Sequence, residues 1–405
     1  MRLTRPLSFV RLALSMKIVS VLAHLVRIPL ATPYVISRGM LDAFTNVVTE
    51  VHTDNGLIGY GEAVPVSLIG DPVQFKAVIE TRLAPLVIGR DPTEIESLVD
   101  ACLTSCDGVV AAVAGIDLAL WDLVGQALRV PVSTLLGGGG LPVAATSSAA
   151  AHAVAPGARP GVLVDYTMSV DTPEAMAHRA RDVSAAGFLG VVVKVDCKSI
   201  DVDVARVRAV RDALPAASSM RVDCNGGYTP DQAFAFIDRI AAMGVEFIEQ
   251  PVHASDLIGL KACRGRGVRV AADESLSTPQ DALRLVSADA CDVLNVKVPK
   301  AGGLLQSKRV AAIASAAGLP LVVGGGLTFG ISRFASQHLA ASCTSTLGHC
   351  HEGPGPASQA LTDDLTSPRV TREQVAEHAG RVPVSTRPGL GCAVDPTKIA
   401  QYRIY

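Results

Sequence analysis

The fold is decided between residues 191 and 297, where five short apolar runs end on a charged residue: VVVK (191–194), MRVD (220–223), VEFIE (245–249), VRVAAD (268–273) and DVLNVK (292–297). The terminal residues are Lys194, Asp223, Glu249, Asp273 and Lys297, at successive gaps of 29, 26, 24 and 24 residues. A strand, a helix and two short connections need about that length. One potent side chain therefore falls near the C-terminal end of each of five successive β/α units. In a closed parallel barrel those ends share one rim, where active sites are built.

The units extend outward from this stretch. VLVDYTM (162–168) reads as the first strand and LPLVVGGG (319–326) as a later one. Thr172-Pro173, Thr229-Pro230 and Thr278-Pro279 each read as an N-cap followed by proline at the first helical position. Alternating strands and helices at this spacing argue for a barrel, and no GxGxxG follows the first strand as a dinucleotide fold would require. Upstream, residues 16–63 read as antiparallel strands with a hairpin turn at Asp54-Asn55-Gly56. Residues 72–138 read as helices, and residues 139–162, rich in Ala, Gly, Pro and Ser, as a linker or insertion. The expected architecture is α/β: an α+β N-terminal cap over 16–138, a TIM-type barrel over 162–372, and a C-terminal segment, 373–405, returning to the cap. Met16 is the expected start of the folded chain.

Composition narrows the function. The chain has 405 residues, 49% hydrophobic, with a net charge of −2, which points to neither nucleic acid nor a membrane surface. Its nine cysteines form no zinc-like pairs and read as reduced thiols of a cytoplasmic protein. Lysine is scarce: nine of the 36 basic residues, and Lys194, Lys198, Lys297 and Lys300 are four of the nine. Arginine cannot supply a titratable amine, so lysine at these positions fits acid/base chemistry. Lys198 and Lys300 themselves read as solvated.

Three carboxylates converging on one rim repel one another unless a cation intervenes, and an oxygen-only cage favours Mg²⁺, with Mn²⁺ as a substitute. Each acid taken alone could be a helix cap; their joint spacing argues against that. Asn225, two residues beyond Asp223 on the same strand face, can orient a ligand. Burial behind three valines should lower the pKa of Lys194 and make it a usable base, with Lys297 on the other side of the cage. Either lysine could instead be a structural ion-pair partner. Tyr34 and Ser37, in an expected loop after Pro33, either cover the site or are ordinary loop residues. His338 reads as a packed helix histidine. Cys197 and Cys224, beside site residues, should face away from the barrel interior.

The segments GLIGYGEA (56–63), AGIDLALWDLVGQALRVPVSTLLGG (114–138), VDCNGGYT (222–229), FIEQP (247–251), AADES (271–275), NVKVPKAGG (295–303) and PGLG (388–391) together resemble the enolase superfamily, in its mandelate racemase and muconate lactonizing branches. The resemblance implies a modified (β/α)7β barrel under an α+β cap. It implies Mg²⁺ held by Asp223, Glu249 and Asp273, and an acid/base pair of Lys194 and Lys297. It also implies a homo-oligomer acting on a small-molecule carboxylate. Two departures stand out. Val192 occupies the first position of a usual Lys-x-Lys pair, and the seventh-strand region offers Thr328 where a substrate-binding acid is common. The implied chemistry is abstraction of a proton α to the carboxylate through an enediolate. Two opposed lysines fit racemisation or epimerisation of an amino-acid or proline-type derivative; dehydration of a hydroxy acid and cycloisomerisation of a muconate-type lactone are the alternatives.

Overall fold

A computed structural model describes residues 16–36, 39–65, 70–138, 161–343, 346–350, 361–369, 372–378 and 380–405. Ser37, residues 1–15 and the stretch 139–160 lie outside them.

Three antiparallel strands in the order β1 (Ile18–Ile36), β2 (Gly39–Thr53) and β3 (Ile58–Ala63) form the cap sheet. The β2–β3 turn is closed at Gly56, whose φ of +85° suits glycine. Helix Val110–Leu128 lies directly on β3. The approach is so close that a Cβ on Gly61 would fall 1.9 Å from the Gly115 carbonyl oxygen, and one on Gly59 would fall 2.3 Å from that of Ala119. Among the described residues this is the one helix long and apolar enough to cross a membrane; its residues Ala112–Val124 are nearly all buried in the cap core.

The second sheet is the barrel. The run 162–168 is interrupted at Asp165 into β4 (Val162–Val164) and β5 (Tyr166–Met168). Then come β6 (Gly190–Lys194), β7 (Ser219–Asp223), β8 (Phe247–Glu249), β9 (Arg269–Ala272), β10 (Val293–Val296), β11 (Leu321–Val323) and β12 (Thr346–Cys350). These strands pair with one another in parallel; β12 pairs with β4 while β5 pairs with β6, so the first strand closes the ring, and the short strand Arg381–Val382 adds antiparallel to β4. Eight strand positions and seven intervening helical connections give the (β/α)7β pattern expected from the sequence. Thr172, Thr229 and Thr278 each accept a backbone N–H at the start of their helices, and the last two form full capping boxes with Gln232 and Asp281.

Side-chain alternation along the strands sets which residues reach the barrel axis. Val191, Val193, Val195, Met220, Val222, Cys224, Ile248, Val270, Ala272, Leu294, Val296, Leu321 and Val323 belong to the large core shared with the helices. Their alternates Phe247, Ala271, Val293 and Val322 form a separate inner cluster. The same inward parity takes in Val192, Lys194, Arg221, Asp223, Glu249, Asp273, Asn295, Lys297 and Gly324. Deeper in the barrel, Arg221 is fully buried, ion-paired with Asp165 and with Glu246 (3.2 Å), and stacked over Phe247.

Cap and barrel are joined by buried polar contacts. Glu62 on β3 accepts the backbone N–H of Phe329 (2.8 Å) and of Ser332 (2.9 Å) at the start of helix Gly330–Ser342. Asn46 donates to Glu62 and to the Leu327 carbonyl, both at 2.8 Å. The C-terminal segment reaches the cap through Ile404 N–H donating to Leu25 O (2.8 Å).

His338, fully buried, ties that helix to both neighbours. Ser133 N–H donates to Nδ1 (3.2 Å), so Nε2 carries the proton and donates to Leu390 O (2.9 Å). Burial lowers its pKa to about 4, and a proton added to Nδ1 would confront the Ser133 N–H. The native state therefore binds fewer protons than the unfolded chain below pH 6.5, and stability falls as pH drops from about 6.5 to about 4, by about 3 kcal/mol for this group. His338→Gln removes the titration. In urea unfolding, the stability advantage of the parent over the variant should shrink by about that amount between pH 7 and pH 4; parallel curves would contradict it.

Candidate active site

The register of β6, β7 and β8 aligns Lys194 with Asp223 and Asp223 with Glu249, placing all three at one level of the barrel. Asp273 follows β9 and Lys297 follows β10 on the same rim. One carboxylate oxygen from each of Asp223, Glu249 and Asp273 lies within 4.8 Å of the others, and all three residues are buried. The lysines stand on β6 and at the end of β10, four strand positions apart in an eight-position ring, hence on opposite sides of the barrel.

Each lysine is bound to the cage. Lys194 Nζ pairs with Asp223 Oδ2 and lies 3.1 Å from Asn225 Oδ1. Lys297 Nζ lies 2.5 Å from Asp273 Oδ2 and 3.9 Å from Glu249 Oε1. Burial pushes both amines toward neutrality, but the carboxylates outweigh it and raise both pKa values, chiefly Asp223 for Lys194 and Asp273 for Lys297. This corrects the expectation that burial alone would lower Lys194: the valines desolvate it, while the acids hold the proton on.

The carboxylates differ. Burial, then Asp223 and Asp273, push Glu249 well above the usual carboxylate range. Burial also raises Asp273, but Lys297 and Lys300 outweigh it and hold that carboxyl well below its usual range. Glu249 Oε1 accepts from Asn295 (2.8 Å), while Oε2 is buried with no hydrogen-bond partner. A bare carboxylate oxygen on a side chain clustered with two further acids is what a cation would satisfy. The all-carboxylate donor set fits a hard divalent ion.

Of the remaining expected residues, Asn225 borders the cage. It sits at φ +46°, its N–H donates to Asp223 Oδ1 (2.8 Å), and its amide nitrogen lies 3.1 Å from Glu274 Oε1. Tyr34 lies in the last part of β1, beyond a register shift after Pro29, and not in a loop. It is buried, within electrostatic reach of Lys194, Asp223, Lys297 and Glu249. Thr328 is buried in the connection from β11 to helix Gly330–Ser342. Lys198 is exposed as expected; Lys300 is not. It bonds both Oδ1 and the carbonyl of Asp273, correcting its reading as solvated.

The residues match the family pattern described as "Mandelate racemase / muconate lactonizing enzyme, N-terminal domain" over 18–137 and "Enolase C-terminal domain-like" over 175–398. The chain belongs to the enolase superfamily, in its mandelate racemase/muconate lactonizing enzyme branch. Among its relatives is the dipeptide epimerase of Enterococcus faecalis. A crystal structure of that protein complexed with Mg and the dipeptide L-Leu-L-Tyr is 29% identical, with a TM-score of 0.82 over 93% of this chain and 99% of that one. The crystal structure of N-succinyl Arg/Lys racemase from Bacillus cereus is 25% identical, with a TM-score of 0.85 over 96% and 98%. The chloromuconate cycloisomerase of Pseudomonas putida is 30% identical over 96% of this chain and 99% of its own length.

Around this superfamily site the structure adds residues that no spacing announced. Glu274 is buried, and burial with Asp273 and Asp223 raises its pKa to about 6. Gln250, at φ +40°, accepts the N–H groups of Asp273 (3.0 Å) and Ser275 (3.1 Å), fixing the end of β9. Gln250 and Glu274 each directly follow a cage acid in sequence, the one signal that could have marked them.

Proposed function

We propose that the chain racemises or epimerises an N-substituted amino acid, dipeptide or proline-type derivative by moving the proton α to its carboxylate, with Mg²⁺ held by Asp223, Glu249 and Asp273. The observation that carries this reading is the placement of two lysines on opposite sides of one carboxylate cage. Mg²⁺ bound there would offset the carboxylates' hold on both amines and supply positive charge where the substrate carboxylate gains electron density. One lysine takes the α-proton from its face of the substrate. The other delivers a proton to the opposite face, and inversion follows from geometry alone. Asn225, bonded to Asp223, accepts from Lys194 and steadies it beside the cage. To Tyr34, supplied by the cap and buried near both lysines, we assign exclusion of water and contact with the substrate; Thr328 and Ser37 are the further contacts we assign. Two of the relatives act on dipeptides or N-succinyl amino acids by name, which supports this substrate class. The cysteines described, none of them in a disulfide, suit a cytoplasmic enzyme.

The test is proton NMR in D2O with Mg²⁺ and a panel of dipeptides, N-succinyl amino acids and proline derivatives. Loss of an α-proton signal together with appearance of the epimer is the expected outcome. A keto or unsaturated product would make the chain a lyase, and ring opening or closure of a lactone a cycloisomerase.

A further inference from the structure

We infer that Asn295 is a positioning residue that holds Glu249 ready for the divalent ion, and that Gly324 holds Asn295. The inference rests on the metal-site reading above. The three cage acids are held in different ways. Asp223 is bound by the ammonium of Lys194, and Asp273 by those of Lys297 and Lys300. Asp223 also accepts from the Asn225 N–H, but Glu249 has no ammonium at hydrogen-bond distance: its donor is neutral, Asn295 Nδ2 at 2.8 Å, and Lys297 Nζ stands off at 3.9 Å. An amide can fix a carboxylate's rotamer without bringing a positive charge that competes with a cation.

The amide's orientation is forced. A carboxylate ionised to bind a cation only accepts, so the nitrogen must face Glu249 in the state that holds the metal, and it does so here. The oxygen then points away, and Asn295 Oδ1 is buried with no hydrogen-bond partner. A buried orphan acceptor costs stability and calls for a reason. The reason here is at the other end of the side chain: Oε1 of Glu249 is occupied and Oε2 is left bare, on a side chain that shares the cage with Asp223 and Asp273. Gly324 completes the device. It lies next in the ring after Asn295, and a Cβ there would fall 2.2 Å from Oδ1 and 3.0 Å from Nδ2. Its φ is not in the left-handed region, so backbone freedom does not explain the glycine; space for the amide does.

The test measures Mn²⁺ binding to the full chain by electron paramagnetic resonance, with thermal unfolding of the metal-free protein alongside. Asn295→Leu keeps the volume and removes the donor, and should weaken Mn²⁺ binding 10- to 100-fold, as loss of a residue orienting a ligand does. Gly324→Ala leaves Asn295 in place but displaces its amide, and should weaken binding in the same direction. Glu249→Asp withdraws the carboxylate from the amide's reach. If Asn295 acts through Glu249, the Asn295→Leu/Glu249→Asp double variant loses less than the product of the two single losses. Parent-like Mn²⁺ affinity in Asn295→Leu, or multiplicative losses in the double variant, would overturn the inference. Should Asn295→Leu fail to fold, parent-like affinity in Gly324→Ala would overturn it alone. A parent protein that binds no Mn²⁺ would overturn the metal-site reading, and this inference with it.

Discussion

Replacing Lys194 with alanine leaves an enzyme that exchanges the α-proton of one enantiomer only. Lys297, on the far side of the cage, still reaches the substrate face that points toward it. It removes that proton and returns a deuteron from solvent to the same face, so label enters without inversion. The mirror-image substrate presents its proton to the empty position and stays unlabelled. Lys297→Ala shows the complementary preference. Interconversion falls roughly 10³-fold or more in both variants, at the upper range for loss of a general acid or base. Each variant also takes an ammonium from a buried carboxylate: Asp223 loses its Lys194 partner, while Asp273 loses Lys297 but keeps Lys300. Circular dichroism and a melting curve must therefore accompany the exchange measurement. Exchange from both enantiomers in Lys194→Ala would remove that residue from the mechanism. Loss of exchange from both, in a folded protein, would mean that the two amines act as one unit.

The five strand-end residues were legible because two regularities coincide there: β/α spacing and the two-residue period that turns every second side chain inward. Both are local, and both survive into the structure. The surrounding residues were not legible for a physical reason. Asn295 and Gly324 serve Glu249 from strands β10 and β11, and only closure of the barrel brings them together. Glu62 caps a helix about 270 positions later in the chain. Tyr34 was read as a loop because Pro29 and Pro33 interrupt the strand signal, although β1 resumes its pairing at Tyr34 after a register shift. The protonation of Lys194 is hidden from the local sequence for a related reason. Its three valines announce desolvation, but the acid that outweighs it lies 29 residues away in sequence. Lys300, three residues past Lys297, reads as solvated because nothing near it in sequence announces its bond to Asp273, 27 residues earlier.

Glu249→Gln should abolish Mg²⁺-dependent activity while making the metal-free protein more resistant to heat. The two effects share a cause. In the absence of a cation, Glu249 stands between two further carboxylates with one oxygen unpartnered, and its charge is a burden on the folded state. The neutral amide relieves that burden at nearly constant volume, and its carbonyl can still accept from Asn295. The same change takes away the middle carboxylate of the cage. Loss of transition-state charge stabilisation by the ion costs several kcal/mol, so turnover should fall about 10³-fold or more. Differential scanning calorimetry separates the two effects. The parent gains about 2.7 kcal/mol of stability at Mg²⁺ one hundred times above its dissociation constant, and a chelator reverses the gain. The Glu249→Gln protein melts higher than the metal-free parent and does not respond to Mg²⁺ over the same range. An unchanged Mg²⁺ response in the variant would exclude Glu249 as a ligand. A lower melting point than the metal-free parent would mean that the ionised carboxylate stabilises the empty site, against the electrostatics of three acids within 4.8 Å.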